Sequence, residues 1–333
     1  MTRIGIIGVG LMGERHAQHW HDINVEIAGY YDVDQKKSRQ MVDRFGGRVF
    51  DRLSDLARTS DIVQICTPPA YHKEAVVSAL EFHRPIFCEK PLALDYAEAR
   101  DIVDMCRKVG IPLFVGHVLR FFHQYRTAKE LIAEGSIGNV RSIYLTRAAG
   151  HPMNFDKREW FRSIGNTGGA VMEGGVHDLD FARWCAGEVD RVFARGITYR
   201  ETFDRAADHS LVMLRFKNGA IGHIEASWML TDGSFRQQFE ITGTEGILEY
   251  DSSPASQLVI TSHNDETGSG LPQEIIDKRD DPYTVELQHF LACLDTDTEF
   301  IVTPEDALAA LRLSLAAHKS MRSGRMVRVE EIV

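Results

Sequence analysis

Six consecutive residues, Gly8-Val9-Gly10-Leu11-Met12-Gly13, spell G-x-G-x-x-G, a spacing whose chemistry is the holding of a pyrophosphate. Gly8 permits a tight turn, Gly10 lets a phosphate approach the backbone, and Gly13 lets a helix pack closely on a strand. The backbone N–H groups at the start of that helix, those of Leu11 and Met12 among them, would hold the anion together with the positive end of the helix dipole. Asp32 follows Gly13 by nineteen positions, where a carboxylate accepts hydrogen bonds from an adenosine ribose diol and repels a 2′-phosphate. NAD is therefore the expected cofactor and NADP the less favoured one, with Lys36 and Lys37 as the nearby cations that oppose this preference. Alone, the hexapeptide is equally a glycine-rich turn without a ligand and Asp32 a turn former or helix cap; their joint spacing favours the dinucleotide.

Two further groups have reactive side chains. Lys90 lies just beyond a predicted parallel strand, where open α/β sheets bind their ligands; the bland alternative is a solvated cation. Farther on, Glu173, His177, Asp178 and Asp180 fall close together. If the segment is helical, positions 173 and 177 share one face. A structural histidine at a helix start is the competing reading. One His without Cys is a poor zinc set, and no metal is expected.

The elements that must position these residues follow from the hydrophobic pattern. Up to about residue 120, strands at Arg3–Ile7, Val25–Tyr31, Ile62–Cys66, Pro85–Cys88 and Pro112–Val115 alternate with helices at Leu11–His21, Gln35–Phe45, Ala70–Phe82 and Tyr96–Val109. That alternation predicts a parallel sheet with crossover helices, a Rossmann dinucleotide-binding domain over 1–120. Helices follow at Gln124–Glu134 and His177–Cys185. The chain then reads as strands, at Val192–Tyr199, Ser210–Phe216, Ala220–Trp228, Arg236–Thr242, Ile247–Tyr250 and Gln257–Thr261. Asn218-Gly219 marks a hairpin. After a Gly/Ser/Asp-rich loop over 262–281 come helices Pro282–Leu294 and Pro304–Ser320 and a short strand, Met326–Val329. The expectation is α/β overall, with a second, α+β domain over 121–333 built on a large, mainly antiparallel open sheet.

With 333 residues, the chain suits two domains, and 44% hydrophobic with 26% charged residues is an ordinary globular composition. The net charge of −10 opposes nucleic-acid binding, and no apolar run is long enough to span a bilayer. Five dispersed cysteines without a C-x-x-C pair read as buried thiols in a reducing, cytoplasmic setting.

At Cys66-Thr67-Pro68-Pro69-Ala70-Tyr71-His72, at Phe87-Cys88-Glu89-Lys90-Pro91, and at 168–180 the chain resembles the glucose–fructose oxidoreductase and inositol 2-dehydrogenase (Gfo/Idh/MocA) family. Together with the glycine fingerprint, the resemblance spans nearly the whole chain. It implies a polyol or sugar substrate and a second domain whose open sheet serves a homodimer or homotetramer. It places Lys90 beside the nicotinamide and the substrate hydroxyl, where an ammonium stabilises developing alkoxide character. It makes His177 the base and Glu173 its orienting carboxylate, with Asp180 as a second acid. Dehydrogenases of that family usually carry Asp where this chain has Glu173, whose longer side chain has a different reach. Thr67, Pro68, His72 and Glu89 match segments lining the cofactor, and His117, Arg120 and Trp160 match segments bordering the substrate cleft. Arg120 reads equally as an interdomain salt bridge, and His72 as a helix cap. Two rival functions remain: a glycosidase using NAD for transient oxidation and elimination, and a non-catalytic sugar or dinucleotide sensor.

Overall fold

The computed structural model describes residues 2–150, 167–198, 207–230, 235–252, 258–262, 273–275 and 281–333. The chain forms two compact units, residues 1–121 with 280–308, and residues 122–279 with 309–333.

In the first unit, strands β1 (Arg3–Ile7), β2 (Glu26–Tyr31), β3 (Ile62–Ile65), β4 (Ile86–Glu89) and β5 (Leu113–Gly116) form a parallel sheet in the order β2-β1-β3-β4-β5. Every residue of β3, β4 and β5 is buried, as a sheet covered on both faces requires. Helices α1 (Leu11–Asp22), α2 (Gln35–Phe45), α3 (Leu53–Thr59), α4 (His72–Glu81) and α5 (Tyr96–Val109) complete the crossovers. Asp34 caps α2 through the Lys36 amide, Asp95 caps α5 through the Glu98 amide, and Gly110 ends α5 in the left-handed region. The short α3 was not expected; seven residues are too few for the hydrophobic period to register.

The division departs from a single cut after residue 120. The helix Pro282–Thr296, expected in the second domain, buries Leu287 and Phe290 in the first unit's core beside Ile4, Phe87 and Phe114. Its Phe290 ring stands edge-on to Phe87 at 5.5 Å and lies 5.6 Å from Phe114, and Phe300 meets Phe114 at 5.2 Å. Aromatic burial of this kind ties the segment to the parallel sheet.

Among the described residues, the second unit is built on nine strands. They are β6 (Val140–Gly150), β7 (Val189–Ile197), β8 (His209–Phe216), β9 (Ile221–Leu230), β10 (Phe235–Gly243), β11 (Gly246–Asp251), β12 (Leu258–Ser262), β13 (Gln273–Ile275) and β14 (Val327–Arg328). Their order is β13-β12-β11-β10-β6-β9-β8-β7-β14, antiparallel throughout except for the β6–β9 pair. The central strand β6 went unread in the sequence, and β13 falls inside the stretch expected to be a loop. Gly219, with φ +94°, turns the β8–β9 hairpin, its amide donating to the Phe216 carbonyl. Helices α6 (His123–Ala133) and α7 (Val176–Ala186) supply Tyr125 and Phe181, which pack on Phe239 of the sheet. On the sheet, Ile143, Leu145, Val212, Ile224 and Ile241 are buried, whereas Tyr144, Leu211, Met213 and Ile221 on the opposite face are exposed.

Candidate functional site

In the first unit, the strand order reverses between β1 and β3, the crevice where open α/β sheets bind ligands. The glycine loop fills the β1 side. Gly8 takes φ +85° and donates its amide to the Tyr31 carbonyl at 2.8 Å, pinning the loop to the end of β2. A Cβ on Gly8 would lie 2.7 Å from the Thr67 nitrogen, and one on Gly13 would lie 2.0 Å from the Gly8 carbonyl oxygen. Only glycine fits either place. Gly10 caps α1 without any side-chain acceptor for the first-turn amides, which leaves those N–H groups for an anion. Leu11, in that turn, is 63% exposed.

Asp32 stands just past β2 with both carboxylate oxygens fixed. One accepts from the Val9 amide at 2.9 Å and the other from the Asp34 amide at 2.8 Å. The helix cap that Asp32 was weighed for belongs to Asp34 instead. Thus the acid expected at the ribose is held against the glycine loop itself. Past β3, the buried Thr67 hydroxyl finds no hydrogen-bond partner among the described residues. Such an orphan is costly unless a ligand or water satisfies it. The close-fitting glycines, the uncapped helix start, the anchored carboxylate and the orphan hydroxyl together fit a dinucleotide. Gly8, Gly10, Leu11, Met12 and Gly13 would hold its phosphates, and Asp32 its ribose.

Pro68 opens the short turn Pro69–Tyr71, and His72 follows at the start of α4. His72 is fully buried between two backbone carbonyls, Thr67 at 2.8 Å and Leu92 at 3.1 Å. Burial pushes its imidazole below the ordinary range despite those acceptors. The neutral ring has one N–H to donate, so it packs between the loop after β3 and the segment after β4 and bonds one of the two carbonyls at a time.

Glu89 closes β4 and is buried. One carboxylate oxygen lies 2.6 Å from His16 Nε2, and the other accepts from the Lys90 amide at 3.2 Å. Burial alone would raise this carboxyl; the hydrogen bond and charge of His16, then the charge and amide of Lys90, more than reverse that and hold it below the usual range. Lys90 is half-buried, and its bond to Pro91 is cis. His117 and Arg120 follow β5, both 1% exposed. Arg120 donates to the Ile301 carbonyl at 2.6 Å and to Asp306 at 3.1 Å. Both of these partners lie in its own unit, within residues 280–308.

In the second unit, α7 is preceded by a π-helical turn, Val171–Gly175. Such turns recur at functional sites because they re-aim side chains within a helix. Glu173 lies in that turn and His177 in the first turn of α7, both half-buried. Asp180, three residues on, is buried. The helix start is held tightly against the sheet: a Cβ on Gly174 would meet Arg147 Cδ at 3.3 Å, and one on Gly175 would meet Ala226 Cβ at 3.0 Å. Arg147 of β6 grips Asp178 with two bonds, 2.6 Å from Nε and 3.2 Å from a terminal nitrogen. Burial raises the Asp178 carboxyl, and Arg147 opposes that only in part. Trp160 lies outside the described residues.

Sequence reasoning missed His16, Arg147 and Glu286. His16 had a legible signal, three residues after Gly13 on the buried side of the same helix. Arg147 lies on the strand that went unread.

The profile described as "Oxidoreductase family, NAD-binding Rossmann fold" matches residues 2–117, and that of the GFO/IDH/MocA C-terminal domain matches residues 125–249. The chain is 30% identical to the myo-inositol 2-dehydrogenase of Thermotoga maritima, over 99% of each chain. It is 28% identical to the NAD(+)-dependent scyllo-inositol 2-dehydrogenase of Bacillus subtilis, over 99% of this chain and 96% of that one. Among solved structures, it is similar to GenD2 from gentamicin A biosynthesis in complex with NAD, with a TM-score of 0.85 and 26% identity over 98% of this chain and 96% of that one.

Proposed function

Because the chain belongs to the GFO/IDH/MocA family of oxidoreductases, we propose that it is an NAD-dependent dehydrogenase acting on a secondary alcohol of a cyclic polyol or sugar. The observation that carries this reading is the pairing of a ligand-ready glycine loop with Asp32, whose carboxylate is anchored on the loop's own Val9 amide. A carboxylate in that place favours a free ribose diol over a 2′-phosphate, which supports NAD over NADP. The inositol dehydrogenases among its relatives support the substrate class.

Bound NAD would supply the hydride acceptor. Lys90 places its ammonium against the reacting hydroxyl and stabilises the negative charge that develops on oxygen. His177 accepts the hydroxyl proton, and Glu173, four residues before it, orients the imidazole. Thr67 offers the cofactor a hydroxyl that has no partner among the described residues. The exposed apolar side chains Tyr144, Leu211, Met213 and Ile221 support assembly into a homodimer or homotetramer through the open sheet face.

The test adds NAD to the purified protein and follows NADH absorbance across a panel of inositols and sugars. Reduction of NAD by a panel member, abolished in Lys90→Ala and His177→Ala, is the expected result. Silence on every polyol combined with release of nitrophenol from a nitrophenyl glycoside would replace the reading with a hydrolase. Asp32→Ala is expected to lower kcat/KM for NAD roughly tenfold, the worth of a charged hydrogen bond, and to narrow the gap between NAD and NADP.

A further inference from the structure

Three buried ionisable side chains of the first unit, His16, Glu89 and Glu286, have no place in the reaction as described so far. His16 is wholly buried on α1, one turn beyond Gly13. Its ring is held edge-on to Phe87 at 5.3 Å and to Tyr283 at 5.9 Å, so it has little freedom to rotate. Its Nε2 meets Glu89, and the other Glu89 oxygen takes the Lys90 amide. A chain of short contacts thus runs from the glycine loop, through the rigid helix, to the peptide from which Lys90 springs. The link from imidazole to carboxylate is buried and of the strong, charge-assisted kind, and the link from carboxylate to amide is part-buried.

Glu286, from the Pro282–Thr296 helix, explains why Glu89 is free to play this part. Both its oxygens are buried without a partner among the described residues. Burial and the charge of Glu89 push its carboxyl well above the usual range. The proton therefore stays on Glu286 and the charge on Glu89, where His16 and the Lys90 amide hold it. Other groups facing this cluster are Tyr283 with Arg15 over its ring, His19 beside His16, His72 near Glu89, and the Cys66 and Cys88 thiols, which burial raises.

We propose that His16 and Glu89 form a buried clamp that fixes Lys90 relative to the dinucleotide loop, which makes His16 a positioning residue for hydride transfer. This rests on the reading of Lys90 as the partner of the reacting hydroxyl. The clamp needs a donor at the position of Nε2, so the decisive comparison is between two replacements of similar bulk. His16→Gln keeps a donor there, and His16→Met does not.

Two readouts apply to both variants. The first is steady-state oxidation of the best polyol from the panel, with kcat separated from KM. The second needs no turnover: competitive acetylation by acetic anhydride across pH, with peptide mass spectrometry giving the titration midpoint of Lys90 against the exposed Lys217. His16→Met is expected to lose roughly 10- to 100-fold in kcat, the scale of a misplacement near 1 Å. Its polyol KM should change less than threefold, and the Lys90 midpoint should move while that of Lys217 stays. His16→Gln should recover most of both. Wild-type kcat and an unmoved Lys90 midpoint in His16→Met would overturn the clamp; so would equal losses in the two variants. If Lys90→Ala itself keeps full activity, the reading of Lys90 fails, and the acetylation profile still decides whether His16 sets that lysine.

Discussion

Each unit carries a buried ion pair one residue away from a side chain of the proposed chemistry, and the two pairs use different cations. In the first, Glu89 precedes Lys90 and is held by His16 at 2.6 Å. In the second, Asp178 follows His177 and is held by Arg147, also at 2.6 Å. Arginine cannot shed its proton, whereas an imidazole can. Loss of the carboxylate therefore strands a permanent charge in the second unit and only a neutralisable ring in the first. The difference teaches that two similar distances stand for unlike energetic commitments: a fixed brace under α7, and an adjustable one under the glycine helix.

The comparison breaks most readily at Asp178. Asp178→Ala is expected to cost about 3–5 kcal/mol, the usual penalty for leaving one member of a buried pair alone, read as a fall in the urea midpoint of the second unit's transition. Glu89→Gln should cost less, about 1–3 kcal/mol, since His16 can become neutral and the amide still bonds. Equal losses would erase the distinction.

Protons sharpen it further. The Glu89 carboxyl is depressed on folding, so its contribution is complete above the ordinary carboxyl range and disappears as pH falls through the folded value, below about pH 4.5. Glu286 runs the other way. Its folded pKa is raised, so stability falls as pH climbs from about 4.5 toward that folded value, because only the unfolded chain releases the proton easily. Glu286→Gln removes this drain and should gain stability relative to wild type with rising pH, by at most about 1.4 kcal/mol per pH unit; thermal melts from pH 5 to 8 would show a widening gap. The smallest effect belongs to an exposed pair, Lys73 with Asp101 at 3.2 Å. Lys73→Ala should shift the urea midpoint by less than about 1 kcal/mol equivalent, and less again in high salt.

The glycine loop, Asp32 and the Glu89-Lys90-Pro91 segment were legible because each is a local pattern whose meaning depends on a few neighbours. The strands of the parallel sheet announced themselves by short apolar runs, such as Leu113-Phe114-Val115. The return of residues 280–308 to the first unit was not legible, since the apolar face of a helix does not say which sheet it will cover. Strand β6 was overlooked although Ile143 and Leu145 alternate with Ser142, Tyr144 and Thr146; with it went Arg147, whose role depends on a partner thirty-one residues away. His16 illustrates a different limit, for nothing in a histidine's own surroundings in the chain reveals that Glu89 will meet it in space.

The late segment that completes the first unit also bears on how the protein is born. A nascent chain released as far as residue 121 would present Phe87 and Phe114 without Phe290 and Phe300, and the missing rings arrive only when synthesis has passed residue 300. At ordinary elongation speeds that interval is about 10–40 s. The amino-terminal portion must therefore wait, with an aromatic patch uncovered, until nearly all of the second unit has left the ribosome, and a polypeptide cut at residue 121 would keep that patch for good.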